Sequence, residues 1–400
     1  MEIHTFFIVL LAMLLSARVL GELATRLGAP AVIGELFAGV LLGPSLLGWV
    51  EPAPVIRLLA EIGVILLLFQ VGLETDVMRL VHTGLKPVIV ALVGVIAPLA
   101  GGFAVAYLLF DLSLLAALFI GGTITATSIG ITVRVLNDLN RQHSQEAQIV
   151  LGAAVLDDII GVVLLALLYE FSKEGGVSLV NTGKVMAFIA LFMVVAPFAA
   201  KLMAEIIRRF ESKSQIPGLL PTTVVSLVLF FAWLSHAMGA PELLGGFAAG
   251  LALSRRFAVP MGVAIGTNPD FARRMEEQMR PIIHLFTPIF FVMVGLSLDF
   301  SVIDWSSPFI WGFSLVLFAV ALVTKLVSGF FIREPFSRRL AVGLAMVPRG
   351  EVGLIFAGVG RSAEIFTPEV YAALILVIAL TTLLPPFALK IFYQRHPSES

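Results

Sequence analysis

The sequence predicts an all-α polytopic membrane protein, and three observations carry that reading. Of its 400 residues 59% are hydrophobic and only 13% charged, where a soluble chain carries about 25% charged residues. The apolar residues are gathered into runs long enough to cross a bilayer, which takes about 20 residues. A mean hydropathy of +1.02 leaves too little polar side chain to cover a water-facing surface. Lipid is therefore the solvent for most of the chain.

Thirteen spans are expected, near 5–25, 29–49, 54–73, 84–109, 113–135, 147–169, 181–207, 217–238, 241–254, 281–298, 307–331, 338–361 and 367–393. The ninth is short enough to be tilted or partly re-entrant. The start, Met1-Glu2-Ile3-His4, has neither the positive charge nor the cleavage site of a secretory signal, so the first run reads as a retained span. No soluble domain is expected, because the longest connection, about 255–280, is short and basic.

Charge placement tests this map. Alternate connections hold 19 Lys and Arg, among them Arg134, Arg141, Arg208, Arg209, Arg255, Arg256, Arg338 and Arg339. The opposite side holds four (Arg57, Lys173, Lys184, Arg361), and Arg18, Lys325 and Arg349 fall inside spans. Positively charged loops stay cytoplasmic, so the C-terminus is expected inside and the N-terminus outside. The net charge of -1 gives no hint of a nucleic-acid partner, and the lack of cysteine excludes disulfides, thiol catalysis and Cys-based metal sites.

Backbone in lipid must satisfy its own hydrogen bonds, so these spans are expected to be helices. A charge near the bilayer centre costs about 2.5–3.5 kcal/mol on insertion scales, and its presence asks for a reason. Asp157 and Asp158 stand at the middle of the sixth span, too short to reach the interface. Neighbours on a helix point about 100° apart, so one can face a cavity while the other meets a partner. Such a pair reads as part of an ion path; a structural pair locked to basic residues is the other reading. Lys325, in the eleventh span, either pairs with one Asp or snorkels toward the interface near Arg333.

Two spans look interrupted. Met346-Val-Pro-Arg-Gly-Glu-Val352 places Arg349 and Glu351 beside Pro348, which lacks an N–H, and Gly350, which loosens the chain. A broken helix is expected there, or a kinked one with a structural salt bridge. Gly121-Gly-Thr-Ile-Thr-Ala-Thr-Ser-Ile-Gly130 is rich in small and hydroxyl residues. It is either a packing seam or a second broken helix whose hydroxyls and carbonyls suit a dehydrated cation. These two spans lie seven apart and so run oppositely, the pattern of an inverted-repeat transporter with a midplane site. The repeats would pair spans 4–6 with spans 11–13.

Pro30-Ala-Val-Ile-Gly-Glu35, Val71-Gly-Leu-Glu74, Ala126-Thr-Ser-Ile-Gly-Ile-Thr132, Leu156-Asp-Asp158, Pro288-Ile-Phe-Phe-Val-Met-Val-Gly295, Lys325 and Pro348-Arg-Gly-Glu-Val-Gly353 together carry a resemblance. Over nearly its whole length the chain resembles the monovalent cation:proton antiporter-2 family, most closely its NapA-type sodium/proton antiporters. The resemblance implies two crossed broken helices in an ion-transporting core, about 84–169 and 307–393. It also implies a dimer or scaffold domain, about 5–73 and 217–298, with 181–207 as the linking helix. Elevator-type movement, a homodimer, a prokaryotic inner membrane and no cofactor are implied with it. Asp158 would be the principal Na+ ligand, and Asp157 the partner of Lys325. The Asp-Asp form goes with electrogenic exchange.

The residues themselves fit that expectation. Desolvation favours a protonated carboxyl and a nearby cation favours the charged one, so a proton and Na+ can compete for Asp158 and Asp157. The hydroxyls or carbonyls of Thr127 and Ser128 are candidate oxygen ligands. The alternatives are a K+/H+ antiporter or a Na+-coupled symporter on the same scaffold. An ion channel and an ion-binding sensor are different classes. So is an intramembrane aspartyl protease, which adjacent Asp residues on one helix fit poorly.

Overall fold

The computed structural model describes residues 3–74, 83–174, 218–238, 241–253 and 269–395, with isolated positions between 183 and 202. Among the described residues every regular element is helical. In chain order they are α1 (Ile3–Arg26), α2 (Ala31–Leu42), α3 (Pro54–Glu74), α4 (Lys86–Ala104), α5 (Leu114–Thr123), α6 (Ile129–Asp138) and α7 (Gln145–Glu174). There follow α8 (Leu219–Ala237), α9 (Glu242–Leu253), α10 (Pro269–Ser297), α11 (Pro308–Ser328), α12 (Phe336–Ala345), α13 (Glu351–Ser362), α14 (Pro368–Leu383) and α15 (Pro385–Arg395). The expected span 181–207 lies largely outside the described residues; each other expected span has a helical counterpart.

Several helix starts follow directly from the sequence. Ser113, Ser307 and Thr367 accept hydrogen bonds from the backbone N–H three residues on, at 3.2, 3.4 and 3.3 Å. They satisfy N–H groups that have no partner inside the helix. Pro308 and Pro368 then occupy the first helical position, where the missing N–H costs nothing. At the other end of the chain, Pro385 and Pro386 split the last expected span into α14 and α15.

Eight described helical stretches are long and apolar enough to cross a membrane. The rest of the thirteen-span map is built differently. α2 and α9 have 12 residues each, which at 1.5 Å per residue is about 18 Å, short of a hydrocarbon core of about 30 Å. The fifth and twelfth spans are each two short helices with a break between them.

The described chain divides into two compact units, one of 1–56, 85–178 and 291–400, the other of 57–84 and 179–290. The second is held by glycines. A Cβ at Gly246 would stand 2.5 Å from the Ile65 carbonyl oxygen, and one at Gly250 2.0 Å from that of Phe69. The Gly246-Phe-Ala-Ala-Gly250 seam thus brings α9 against α3 within one subunit. In the first unit, α4, α5–α6 and α7 form a helix, broken helix, helix sequence, and α11, α12–α13 and α14 repeat it. α4 packs on α7 and on α11, and α11 on α14. On α1, Phe7, Leu11, Leu15 and Val19 are exposed at four-residue spacing and form an apolar stripe suited to lipid.

Candidate functional site

The two breaks cross each other. α5 ends at Thr123 and α6 begins after Ser128; α12 ends at Ala345 and α13 begins after Gly350. Backbone released from the helices is satisfied across the crossing. Ser128 N–H donates to the Pro348 carbonyl at 2.9 Å. The Thr132 hydroxyl donates to the Ala345 carbonyl at 2.8 Å, and the Thr127 hydroxyl to that of Met346 at 3.3 Å. Gly350 is needed here: a Cβ would lie 2.7 Å from Ser128 Oγ. Two helix N-termini, α6 and α13, and two C-termini, α5 and α12, therefore meet. Their partial charges of opposite sign are concentrated at one depth.

The charged side chains collect at this crossing. Asp157, Asp158, Lys325 and Arg349 are 1%, 6%, 0% and 1% exposed. Lys325 reaches from α11 to place Nζ 3.3 Å from both carboxylate oxygens of Asp157 on α7. It donates a further hydrogen bond to Thr127 Oγ1 at 2.7 Å. Snorkelling toward the interface is thereby excluded. Lys325 also lies within electrostatic reach of Asp158 and Arg349. Arg349 Nη1 donates to the Ala126 carbonyl at 2.9 Å, joining the second break to the first. The side chain of Glu351 lies outside the described residues.

The hydroxyls of the first break divide into two groups. Thr123 and Thr125 turn back onto their own helix and donate to the Phe119 and Gly121 carbonyls at 2.8 and 2.7 Å. Thr127 bridges Lys325 and Met346, and Ser128 Oγ caps α6 by accepting from Ile131 N–H at 3.5 Å. The packing reading of this segment holds beside the broken-helix one, since a Cβ at Gly121 or Gly122 would stand 2.5 Å from the Leu99 oxygen or 2.6 Å from the Phe356 ring. Sequence reasoning missed Gly94 of α4, where a Cβ would touch Lys325 Nζ at 3.5 Å. Its signal was only a glycine inside an apolar span. Sequence reasoning also missed a second buried ion cluster, at Glu35 and Arg134.

A buried carboxylate pair, a lysine salt-bridged to one of them, and two crossed broken helices inside an apolar helical bundle define a membrane-embedded secondary transporter. The chain belongs to the sodium/hydrogen exchanger family: residues 9–395 match the family described as sodium/hydrogen exchanger, transmembrane. It is thus an integral membrane antiporter and not an enzyme. It is 34% identical to the high-affinity Na+/H+ antiporter NhaS3 of Synechocystis sp., over 94% of this chain and 87% of that protein. It is equally 34% identical to the Na+/H+-K+ antiporter GerN of Bacillus cereus, over 98% and 96%. The sodium proton antiporter MjNhaP1 of Methanocaldococcus jannaschii shares the fold with a TM-score of 0.76 at 15% identity, covering 100% of this chain and 99% of that one.

Proposed function

We propose that the chain exchanges Na+ for H+ across a prokaryotic inner membrane, electrogenically, as a NapA-type antiporter. Asp158 takes Na+ or a proton, and Asp157 is the partner held by Lys325. The observation that carries this reading is the fully buried Lys325–Asp157 pair beside Asp158 at the crossing of the broken helices. The names of the relatives, at 34% identity over nearly the whole chain, support sodium and proton as substrates.

The charge count gives the direction of current. With Asp157 and Asp158 ionised and Lys325 charged, the three groups sum to -1, and bound Na+ brings them to 0. Releasing Na+ and protonating both Asp residues brings them to +1. Arg349 adds the same charge to both loaded states and leaves the difference unchanged. One net charge per cycle against 100 mV is worth about 2.3 kcal/mol, enough to drive uphill extrusion. A Na+ that recruits the Thr127 hydroxyl must compete with Lys325 for it, which couples cation binding to the lysine. Ser128, through its hydroxyl or carbonyl, is the other candidate ligand.

In this reading 84–169 with 307–393 forms the moving core, and 5–73 with 217–298 the scaffold through which two copies pair as a homodimer. The N-terminus lies outside and the C-terminus in the cytoplasm, an orientation that the loop charges support. The GerN name also contains K+, so ion choice is tested directly. Proton flux in proteoliposomes is followed with Li+, Na+ and K+ at clamped potential. Sodium-dependent flux that grows with potential is expected. Flux with K+ alone would assign the alternative, and conductance without proton coupling would make the protein a channel.

A further inference from the structure

A second buried cluster lies where α2 meets α6. Glu35 of α2 is 2% exposed, and its Oε1 accepts from Arg134 Nη2 at 3.2 Å. Arg134 Nε lies 3.3 Å from Asp138 Oδ1, one turn further along α6. Asp138 Oδ2 in turn accepts from the Ala31 N–H at 3.1 Å, at the start of α2. Pro30 precedes that start and offers no side-chain cap. Each helix thus holds the other: α6 caps α2, and α2 neutralises the arginine of α6. Arg18 of α1 acts on Glu35, and Lys390 of α15 on Asp138. Arg18 thereby acquires a reason to lie inside a span.

α2 itself is fixed. A Cβ at Gly34 would stand 2.0 Å from the Leu20 oxygen of α1, and one at Gly39 2.0 Å from the Val292 oxygen of α10. Backbone packed this tightly leaves no room to shift. α6 is a different case. It has 10 residues, its first turn follows Ser128 at the crossing, and a break separates it from α5. Its first turn is held on one side by bonds to the second break, from Ser128 N–H to Pro348 and from Thr132 to Ala345, and the Arg134–Glu35 pair holds the same half-helix from the side of α2.

We propose that Glu35 is a positioning residue for the cation site, acting through Arg134 and α6. It touches neither the cation nor Asp158. In this conformation it sets where the α6 N-terminus, with Thr127 and Ser128, stands relative to Asp157 and Asp158; since the proposed function places α2 in the scaffold and α6 in the moving core, the pair parts when the core moves. The proposal rests on the site assignment above, and its test separates the two.

Three purified, folded proteins are compared: wild type, Glu35→Gln, and Glu35→Asp, which keeps the charge facing Arg134 and Arg18. Two measurements are made on each. The first is the Na+ concentration that half-saturates exchange. Glu35→Gln is expected to raise it about tenfold or more, as loss of a group that orients a ligand does, with maximal rate per folded protein changing less. Glu35→Asp, with its charge kept, is expected to lose less than Glu35→Gln. The second is hydrogen–deuterium exchange of the 129–138 amides without ions, expected to quicken in Glu35→Gln and to quicken less in Glu35→Asp. Unchanged half-saturation and unchanged amide protection in Glu35→Gln would overturn the proposal, as would a fall in maximal rate alone. If wild type carries no sodium-dependent flux, the site assignment fails, and amide protection still decides whether Glu35 braces α6.

Discussion

Lys325 Nζ stands 3.3 Å from both carboxylate oxygens of Asp157, and both side chains are 0% exposed. Each charge is out of reach of water and depends on the other. Removing one partner of such a pair leaves an uncompensated buried charge, at a cost of about 3–5 kcal/mol, while removing both can be nearly neutral. Lys325→Gln and Asp157→Asn should each lower thermal stability in detergent. The double variant should be more stable than the sum of the two losses allows. Additive losses would mean that the pair is not coupled.

Close backbone approach makes a second prediction. At Gly250 a Cβ would lie 2.0 Å from the Phe69 carbonyl oxygen, whereas at Gly312 it would meet nothing within 4 Å. Gly250→Ala must push α9 from α3 and should cost about 1–3 kcal/mol, in the range for overpacking. Gly312→Ala in α11 should gain about 0.5–1 kcal/mol from reduced chain freedom. Melting curves of the two variants should therefore move in opposite directions.

The end of the first unit where α4 begins and α12 starts offers a pH test. Burial pushes the Glu334 carboxyl up, but hydrogen bonds from Lys86, at 2.6 Å, and from Arg338 outweigh it and hold the group below its ordinary range. A depressed carboxyl pKa contributes stability that is present above the unfolded value and is lost as pH falls through the folded one. Glu334→Gln should therefore be less stable than wild type at neutral pH. The gap should close only below the ordinary glutamate range. A gap independent of pH would assign the loss to packing.

The crossing itself gives a fourth prediction. Thr132 donates to the Ala345 carbonyl at 2.8 Å and is 1% exposed. Thr132→Val keeps the shape and strands that carbonyl, at a cost of about 1–3 kcal/mol. Thr132→Ser should retain most of the stability, and equal losses in both variants would contradict the bond's role.

Much of this fold was legible because lipid punishes exceptions. Asp157, Asp158, Lys325 and Arg349 stood out as charges where none should be. Pro348-Arg-Gly350 announced a break because proline and glycine remove what holds a helix together. Length was read less well: α2 is a 12-residue helix, while its apolar run continues to Val50 in non-helical chain. Hydroxyl direction was not readable at all. Thr125 and Thr127 look alike in sequence, yet one turns to its own helix and the other to Lys325. The Glu35–Arg134 contact joins residues 99 apart, and nothing in either local pattern encodes it. Gly246 and Gly250 show only as small residues in an apolar run; that they meet the α3 backbone is seen in the structure alone.

The most direct test of the central claim is sodium-driven proton flux in proteoliposomes, comparing wild type with Asp158→Asn at equal folded protein. Exchange through this carboxylate predicts robust flux in wild type and none above empty liposomes in the variant, with its melting temperature retained. Sodium-driven flux that survives in Asp158→Asn would contradict it.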